Sequence, residues 1–353
     1  MKILQVCPRY HPYLGGVETS VKETSERLTR KFDVEVLTTD PSGKLPREDV
    51  INGVTIRRFR SWAPSESFFF SKDLKKYLSE NSKHHDLIHA HNYHALPSAY
   101  AAEAKGRCKL IFSSHYHGKG HTFFRNLLHI PYKFLGSKIF EKADQIICVS
   151  NYEKNLVAKH FKVKEEEIVV IPNGVNLEDF KGLRKNRKEY RTILCVGRLE
   201  KYKGIQFLIR ILPKLDNDIF LDIVGKGPYK ERLIRLARKL GINNRTRFFQ
   251  DLPKKELVQK YIDADLFALL SKHEAYGISV AEALASGTPC VVADTSALSE
   301  WIDDKNCFGI RYPINLDELA SLVNNVIGRS IGVLRLPDWD EVTDKLVNVY
   351  KNC

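Results

Sequence analysis

Short apolar runs alternate with amphipathic stretches along nearly the whole chain. In the stretch Val17–Lys31, apolar residues recur at helical spacing between charged ones, which predicts a helix. The Asn52-Gly53 pair predicts a hairpin turn, because both positions tolerate a positive φ. The short apolar runs predict strands buried on both faces. These strands are Lys2–Cys7, Val34–Thr38, Leu87–Ala90, Leu110–Ser113 and Gln145–Val149 in the first half, and Thr192–Val196, Phe220–Val224, Arg247–Phe249, Leu266–Leu270 and Cys290–Val292 in the second.

Strands that are buried on both faces and separated by helices are typical of doubly wound parallel sheets. The chain shows two such series, so it is predicted to be an α/β protein with two Rossmann-like domains. The predicted organisation is an N-terminal domain over 1–172, a linker over 173–190, a C-terminal domain over 191–335 and a final helix over 336–353. By analogy with other two-domain α/β proteins, that helix is expected to pack on the N-terminal domain.

Length and composition agree with this organisation and argue against several protein classes. The 353 residues suit two domains of roughly 150 residues each, and a hydrophobic content of 43% argues against a disordered chain. No run reaches the ~18 consecutive apolar residues of a membrane-spanning helix, and the N-terminus resembles a strand more than a signal peptide. The seven cysteines contain no CxxC pair, which predicts reduced thiols in a cytoplasmic protein.

The net charge of +13 is distributed unevenly. Between Glu103 and Glu141 there are seven basic residues and no acidic one. Such a stretch suits a phosphate-bearing partner, whether nucleic acid, anionic lipid or nucleotide, and it equally suits a solubilising surface. Composition leaves these possibilities open.

A glycine pair follows the first predicted strand. Gly15 and Gly16 lie at the mouth of the first predicted helix, where small residues let a phosphate or a sugar approach the backbone. A tight turn would use the same pair. The chain lacks a GxGxxG pattern here, which argues against a nicotinamide-dependent dehydrogenase.

Two cations follow the first predicted strand of the second half. Arg198 and Lys203 lie in the segment Gly197–Gly204, between a strand end and a helix start. Such a pair suits a diphosphate and could neutralise the charge of a leaving group without a metal. Two solvated lysine and arginine side chains of a surface loop would show the same pattern.

Two carboxylates flank the start of a later helix. Glu274 comes just after the predicted strand Leu266–Leu270, and Gly277 and Ile278 open a helix that carries Glu282 one turn further on. One carboxylate could bind sugar hydroxyls and the other a ribose diol. Their position after a buried strand makes the pair more specific than its spacing alone.

With these residues the chain resembles the GT-B-fold retaining glycosyltransferases of family 4, also called glycosyl transferases group 1. Glu274 and Glu282 match the E-x7-E pattern of that family, and the resemblance covers nearly the whole chain. The other matching segments are Gly15–Glu18, Ile146–Asn151, Ile171–Val175, Val196–Leu199, Ile223–Pro228 and Glu282–Pro289. The resemblance implies two Rossmann-like domains that face each other across a cleft.

The resemblance also implies roles for individual residues. The donor diphosphate would be bound by Arg198, Lys203 and Gly16, the ribose and base by Glu282 and Leu252, and the transferred sugar by Glu274, Tyr276, Gly277 and Ile278. His115 matches the histidine that lies beside the donor sugar and the acceptor, and Glu274 and His115 would be the catalytic residues. His117 follows two residues later and leaves this assignment open. His117 and Gly15 are expected on the acceptor side.

The family implies transfer with retention of configuration, in which the departing diphosphate helps to deprotonate the acceptor. No metal and no cofactor are expected. The strings Asp263-Ala264-Asp265 and Asp338-Trp339-Asp340 resemble the DxD motif of metal-dependent glycosyltransferases. Their positions at predicted helix ends favour a structural role.

The acceptor is expected to bind the N-terminal domain. Bulky apolar residues mix with Lys and Arg in Phe68–Lys76 and in Thr122–Phe140, which suits an anionic bilayer surface. The same pattern is typical of a helix that packs its apolar side into the core. We therefore expect a glycan or a polyisoprenyl-linked lipid as acceptor, and a cytoplasmic enzyme, peripheral at the inner face of the membrane if the lipid interpretation holds.

Three functional interpretations remain open from the sequence. The leading one is a retaining hexosyltransferase that uses a UDP- or GDP-sugar. A nucleotide-sugar epimerase or hydrolase on the same fold would turn over the donor without an acceptor. A basic nucleic-acid-binding protein should show exposed interleaved aromatic residues or a known binding module, and neither is found. No nucleic-acid partner is therefore expected.

Overall fold

A computed structural model describes residues 1–64, 68–118, 123–332 and 334–353, with side chains omitted for 123–131. The contacts within the chain divide it into two compact units. The first unit comprises Met1–Gly174 together with Trp339–Cys353, and the second comprises Val175–Asp338. Within the described residues, no helix is both long enough and apolar enough to cross a bilayer.

The N-terminal unit is built on an eight-stranded sheet with the order β3-β4-β2-β1-β5-β6-β7-β8. All neighbouring strands are parallel except β3 and β4, which form an antiparallel hairpin. The strands are β1 Lys2–Val6, β2 Asp33–Asp40, β3 Glu48–Ile51, β4 Val54–Arg60, β5 Leu87–His91, β6 Lys109–Ser113, β7 Gln145–Cys148 and β8 Ile168–Val170.

Helices cover both faces of this sheet. Leu4 and Ile88 pack towards one group of helices, and their strand neighbours Ile3 and Leu87 pack towards the other, because successive side chains of a strand point to opposite faces. The helices on the first face are α2 Lys72–Asn81, α3 Leu96–Ala104, α4 Phe123–Lys142 and α5 Asn151–Phe161; those on the second are α1 Gly16–Leu28 and α11 Trp339–Asn352.

The last helix, α11, is part of the N-terminal unit. Its buried residues Trp339, Leu346 and Tyr350 share a core cluster with strand β1 and helix α1. Each fully buried apolar side chain of this size contributes roughly 1.5–3 kcal/mol. Ion pairs at the surface, such as Lys31 with Asp344 at 2.7 Å, add little by comparison. The burial of apolar surface therefore accounts for the attachment of α11.

The C-terminal unit is built on a six-stranded parallel sheet with the order β11-β10-β9-β12-β13-β14. Its strands are β9 Arg191–Val196, β10 Ile219–Val224, β11 Thr246–Phe249, β12 Leu266–Leu269, β13 Cys290–Asp294 and β14 Cys307–Arg311. Its helices are α6 Ile205–Ile211, α7 Lys230–Lys239, α8 Lys254–Asp263, α9 Ile278–Ala285 and α10 Leu316–Val326. Helices α6, α7 and α10 pack on one face, and α8 and α9 pack on the other.

The structure confirms the fold class and all ten predicted strands, with ends that shift by a few residues. The turn at Asn52-Gly53 joins β3 to β4, and both residues have a positive φ. The flanking strands β3 and β4 and the strands β8 and β14 were not predicted individually. Strand β3 alternates between exposed and half-buried positions, and β14 carries Gly309 near its middle, so neither resembles a continuous apolar run.

The segment predicted as a linker over 173–190 has a different setting in the structure. From Val175 onwards its contacts place it in the C-terminal unit. The Lys185 ammonium lies 2.6 Å from the Asp265 carboxylate, and the Asn186 N–H donates to Asp263 at 2.8 Å. These polar contacts lack hydrophobic periodicity, which is why the segment resembles a linker in the sequence.

Candidate active site

A close approach of two backbones positions the first part of the site. Gly204 has a φ of 75° and forms the N-cap of α6. A Cβ at this position would lie 2.1 Å from the carbonyl oxygen of Leu270, directly after strand β12. Only glycine fits both constraints. The loop after β9 is therefore held against the loop after β12, at the carboxyl edge of the sheet.

This approach brings two predicted site residues together. The Lys203 ammonium lies 2.6 Å from the Glu274 carboxylate, and both side chains are only 15% exposed. Burial by itself lowers the pKa of Lys203, but the Glu274 carboxylate outweighs that effect and raises it. A second contact, from Lys272 N–H to the Tyr202 carbonyl at 2.8 Å, joins the same two loops. The pair is thus charged and fixed in place.

Arg198 lies nearby in the chain and is more exposed. Its guanidinium is 3.4 Å from the Glu200 carboxylate, and its side chain is 36% exposed. A guanidinium can bind a phosphate group through two parallel N–H···O hydrogen bonds. Arg198 and Lys203 therefore differ in setting: one is a partly solvated cation and the other is buried in an ion pair.

Helix α9 presents its N-terminus beside Glu274. Gly277, with a φ of 98°, is its N-cap, and Ile278 is its first residue. The Tyr276 carbonyl accepts a hydrogen bond from the Trp301 indole at 2.7 Å, and the Glu274 N–H donates to the Ser296 hydroxyl at 3.1 Å. The first N–H groups of a helix lack partners within the helix, so this end can bind hydroxyl or phosphate oxygens.

Glu282 lies one turn into α9, and a buried tyrosine holds it. The Tyr261 hydroxyl donates to the Glu282 carboxylate at 2.7 Å, and the Tyr261 carbonyl accepts from Thr288 at 2.7 Å. Leu252, the predicted base-contacting residue, is half-buried against the same core cluster. Tyr261 was not predicted from the sequence. It is identified by its hydrogen bond to Glu282, which lies 21 positions later in the sequence.

The predicted site residues of the N-terminal unit lie at the carboxyl ends of its strands. Gly15 is the N-cap of α1 and Gly16 its first residue. A Cβ at Gly15 would lie 2.3 Å from the Glu18 carboxylate, which is buried and accepts from Arg9 at 2.7 Å. A larger residue at position 15 would therefore displace the Arg9–Glu18 pair.

His115 follows strand β6 and is almost completely buried. Its backbone adopts a φ of 48°, in the left-handed region that non-glycine residues rarely enter. Burial lowers the pKa of its imidazole to about 4, so the ring is neutral at physiological pH. Its Nε2 atom is thus buried, and the described part of the chain gives it no hydrogen bond.

A network of buried side chains next to His115 was missed in the sequence. His91 stacks on His115 with ring centroids 6.1 Å apart, and its Nε2 lies 2.7 Å from the Gln5 amide oxygen. The Gln5 amide donates to the Tyr350 hydroxyl, which lies 2.7 Å from His89 Nδ1. One signal in the sequence could have indicated this network. It is the alternation His-Ala-His at the end of β5, which places His89 and His91 on the same face of the strand.

The second histidine of the predicted pair, His117, also lies in the loop after β6. It stacks on His94 with ring centroids 4.3 Å apart, and both rings are half-buried. The geometry thus gives His115 and His117 different partners, and the choice between them stays a prediction. The basic stretch around them extends to His121 and to the side chain of His129, which lie outside the described residues.

Both DxD-like strings take part in structural contacts. Asp263 accepts from Asn186, and Asp265 accepts from the Thr192 N–H at 2.8 Å, which ties the end of α8 to strand β9. Asp340, in the first turn of α11, accepts from Arg30 at 3.0 Å. Within the described part of the chain, no three His, Cys, Asp or Glu side chains cluster as metal ligands would.

The chain is similar to known glycosyltransferases. The model for glycosyltransferase family 4 matches residues 14–179, and the model for glycosyl transferases group 1 matches residues 178–329. An uncharacterised glycosyltransferase of Methanocaldococcus jannaschii is 28% identical, over 99% of this chain and 98% of its own length.

Two further proteins are similar over nearly their whole length. The GDP-mannose:cellobiosyl-diphosphopolyprenol alpha-mannosyltransferase of Komagataeibacter xylinus is 24% identical, over 99% of this chain and 93% of its own. The crystal structure of the Anabaena protein HepE with UDP-glucose covers 100% of both chains with a TM-score of 0.80 and 17% identity. The two matched models, the relatives and the shared fold agree, and the chain belongs to the family 4 glycosyltransferases with the GT-B fold.

Proposed function

We propose that the protein transfers a hexose, with retention of configuration, from a UDP- or GDP-sugar to a glycan or a lipid-linked acceptor, and that it needs no metal. The observation that carries this proposal is the buried Lys203–Glu274 pair beside the N-terminus of α9. It combines a cation, a carboxylate and a helix N-terminus within one loop cluster. A nucleotide-diphosphate sugar offers matching groups: a diphosphate, sugar hydroxyls and a ribose.

The roles of the residues follow from their charge and setting. Lys203 and Arg198 stabilise the negative charge that develops on the departing diphosphate, which is the task that a metal performs elsewhere. Glu274 accepts hydrogen bonds from sugar hydroxyls, and Glu282, oriented by Tyr261, accepts them from the ribose. The departing diphosphate takes the proton of the acceptor hydroxyl as the new glycosidic bond forms. His115, a neutral imidazole, orients a substrate hydroxyl.

Two relatives support a nucleotide sugar but differ in the base. The K. xylinus enzyme is named for GDP-mannose, and the HepE structure contains UDP-glucose. The K. xylinus enzyme is also named for an acceptor with a diphosphopolyprenol group. These names make UDP- and GDP-sugars the first donors to test and polyprenyl diphosphates the first lipids.

Exposed aromatic residues of the N-terminal unit support a membrane-bound acceptor. Phe134, on α4, is 71% exposed, and the Lys138 ammonium lies 4.7 Å from the centre of its ring. Trp62 and Phe70 pair through two backbone hydrogen bonds and both keep exposed rings. Aromatic rings next to lysines suit an anionic bilayer surface, so we propose peripheral binding at the cytoplasmic face of the membrane.

The reaction is tested by measuring nucleoside diphosphate release from UDP-, GDP-, ADP- and dTDP-sugars in EDTA, with and without polyprenyl lipids. We expect release from one donor, increased by lipid. Release that is independent of every acceptor would identify a hydrolase. Activity that requires a divalent cation would contradict the metal-free mechanism, and the anomeric configuration of the product decides on retention.

Membrane binding is tested separately by co-sedimentation with anionic phospholipid vesicles at low salt. The variant Phe134→Ser should reduce binding several-fold, because it removes the exposed ring. The variant Val50→Ser is the matched control, since Val50 is 68% exposed on strand β3. Wild-type protein that stays in the supernatant would contradict the membrane proposal and leave the transfer reaction untouched.

A further inference from the structure

Glu153 is a buried carboxylate to which the proposed reaction assigns no role. It lies in the first turn of α5, three residues after the N-cap Ser150, whose hydroxyl accepts a hydrogen bond from the Glu153 N–H. Its side chain has no exposure to solvent. A carboxylate in such a position is costly unless hydrogen bonds compensate its lost hydration. The groups that donate hydrogen bonds to the Glu153 carboxylate therefore indicate its role.

Three donors from two loops converge on this carboxylate. Oε1 accepts from the Ser114 hydroxyl and from the Tyr116 N–H, which is 2.5 Å away. Oε2 accepts from the Val149 N–H at 2.7 Å. Ser114 and Tyr116 are the two chain neighbours of His115. Glu153 thus holds the backbone on both sides of His115 and ties it to the loop after β7.

The conformation of His115 requires such support. A non-glycine residue at a φ of 48° persists only where its surroundings hold it. The Ser114 N–H donates to the Ile147 carbonyl at 3.2 Å, which anchors the preceding residue to β7. On the other side of His115, the Tyr116 N–H donates to the Glu153 carboxylate. Removal of that carboxylate takes away the hydrogen bond that the Tyr116 N–H donates.

We propose that Glu153 is a positioning residue for glycosyl transfer, which directs the His115 imidazole by holding Ser114 and Tyr116. The inference rests on the proposed function, because Glu153 acts through a residue to which that function assigns a substrate contact. It adds to the site a side chain 38 positions away from His115.

Glu35 shows how unusual the setting of Glu153 is. Glu35, on strand β2 of the same sheet, is also buried, but it contacts Arg57 at 2.7 Å and His85 at 3.0 Å. Burial raises its pKa, yet these partners outweigh burial and lower it. The described donors to Glu153 are neutral, and burial raises its pKa to about 7. Glu153 therefore changes charge near neutral pH, whereas Glu35 is ionised there.

Several titratable groups lie on the elements that surround Glu153. Burial raises the pKa of the Cys148 thiol, on β7, well above its usual value, and it raises that of the Tyr116 hydroxyl as well. The pKa of His115 lies at about 4. Lys154 adds a positive charge at the next position of α5. His160, also on α5, has its Nδ1 2.8 Å from the Tyr116 hydroxyl. The part of an inflection near pH 7 that Glu153→Gln abolishes would therefore report on Glu153.

The direction of the effect follows from hydrogen-bonding capacity. An ionised carboxylate can accept from all three donors, whereas protonation uses one of its acceptor positions. The support of His115 should therefore strengthen as pH rises through about 7. We expect the kcat of the wild type to rise in the same range.

The test uses the full-length variants Glu153→Gln and Ser114→Ala, with Glu35→Gln as the matched control. Glu153→Gln should lower kcat by about 10- to 100-fold, because a small misplacement of a substrate-orienting group has effects of that size. It should also abolish the inflection near pH 7. Affinity for the nucleoside diphosphate product should stay within about twofold, since none of the residues assigned to the diphosphate, Arg198, Lys203 and Gly16, donates to Glu153. Ser114→Ala should act in the same direction by a smaller factor, and Glu35→Gln should keep both kcat and the inflection.

The outcomes separate this inference from the proposed function. If His115→Ala abolishes transfer while Glu153→Gln and Ser114→Ala keep the wild-type kcat and pH profile, the positioning role is wrong and the function stands. If the wild type is inactive with every donor, the function fails, and NMR of labelled histidines gives the remaining readout. The His115 ring resonances should then shift with an apparent pKa of about 7 in the wild type and not in Glu153→Gln. Resonances that do not shift would overturn the inference. Should Glu153→Gln fail to fold, Ser114→Ala carries both readouts.

Discussion

The carboxyl edges of the two sheets carry chemically different side chains. At the carboxyl edge of the C-terminal sheet, Lys203 and Glu274 form a charged pair with little exposure. At the corresponding edge of the N-terminal sheet, His89, His91 and His115 are buried, and burial lowers the pKa of each imidazole far enough to keep it neutral. The same topology thus supports a charged site in one unit and a neutral one in the other.

This difference shows which property of the fold is general and which is specific. Parallel strands bring loop residues and helix N-termini to one edge, whatever their chemistry. The residues placed there decide the ligand: fixed charges suit a diphosphate, and neutral imidazoles suit hydroxyl groups, which they can orient without a strong competing charge. Changes at the charged edge and changes at the neutral edge should therefore have different measurable effects.

The largest effect is expected from Glu274→Ala, which removes the carboxylate of the charged edge. Transfer should fall by about 100- to 1,000-fold, because sugar orientation and the charge balance at Lys203 are lost together. Initial rates with the preferred donor measure it. The matched control is Asp317→Ala, which breaks the exposed ion pair with Lys214 in the same unit. A Glu274→Ala enzyme with wild-type turnover would refute the assigned role.

The variant Lys203→Met should weaken binding of the nucleoside diphosphate by about 10- to 100-fold, since a hydrogen bond to a charged group contributes about 1.5–3 kcal/mol. Isothermal titration calorimetry measures the affinity directly. Lys214→Met removes a lysine from the exposed pair and should leave the affinity unchanged. Equal affinities in the wild type and Lys203→Met would mean that Arg198 and the helix N-termini bind the diphosphate without Lys203.

The neutral edge should make the N-terminal unit the more sensitive to acid. A buried histidine with a lowered pKa stabilises the fold fully above pH 6.5 and loses that contribution as pH falls. Each of His89, His91 and His115 should lower the free energy of unfolding by about 1 kcal/mol as the pH falls from 6.5 to 5.5. Glu153, whose pKa is raised, should increase the free energy of unfolding over the same pH range and offset the loss from about one histidine. The expected net loss is about 2 kcal/mol.

The C-terminal unit should change little over this pH range. Burial raises the pKa of Asp303, but backbone N–H donors outweigh burial and lower it to about 2, so its stabilising contribution is lost only in stronger acid. Hydrogen exchange in urea, read by mass spectrometry at pH 6.5 and 5.5, distinguishes the two units. Equal destabilisation of both would contradict the comparison.

The smallest effect is expected from Tyr350→Phe, which removes one hydroxyl from the neutral edge. Gln5 and His89 would lose a partner, at a cost of about 1 kcal/mol in the free energy of unfolding. The ring would keep its packing in α11, so chemical denaturation should show one cooperative transition at a lower midpoint. The Tyr13→Phe variant, which loses a more exposed hydrogen bond to Asp40, is the control. A midpoint equal to that of the wild type would show that the network adds no stability.

Local patterns predicted much of this molecule. All ten predicted strands, the turn at Asn52-Gly53 and the opening of α9 at Gly277 were read from runs of neighbouring residues. Strands β3 and β14 were missed because their patterns are mixed and short. The E-x7-E pair was visible for a similar reason, since both carboxylates flank one helix start.

Contacts between distant positions could not be read in this way. Lys203 and Glu274 are 71 positions apart, Gln5 and Tyr350 are 345 apart, and neither pair leaves a periodic signal. The carboxylate of Glu153 likewise resembles an ordinary first-turn glutamate until its buried donors are seen. Burial and hydrogen bonding depend on which surfaces meet, and single-sequence periodicity does not encode that.

The sequence by itself determined the class of fold and the family of the enzyme, and it predicted the edge of each sheet as the place where ligands bind, because these depend on hydrophobic periodicity and on short motifs. Only the tertiary structure decided that one edge is charged and the other neutral. That decision depends on desolvation and on partners from distant strands, which set the protonation state of each group once the chain has folded.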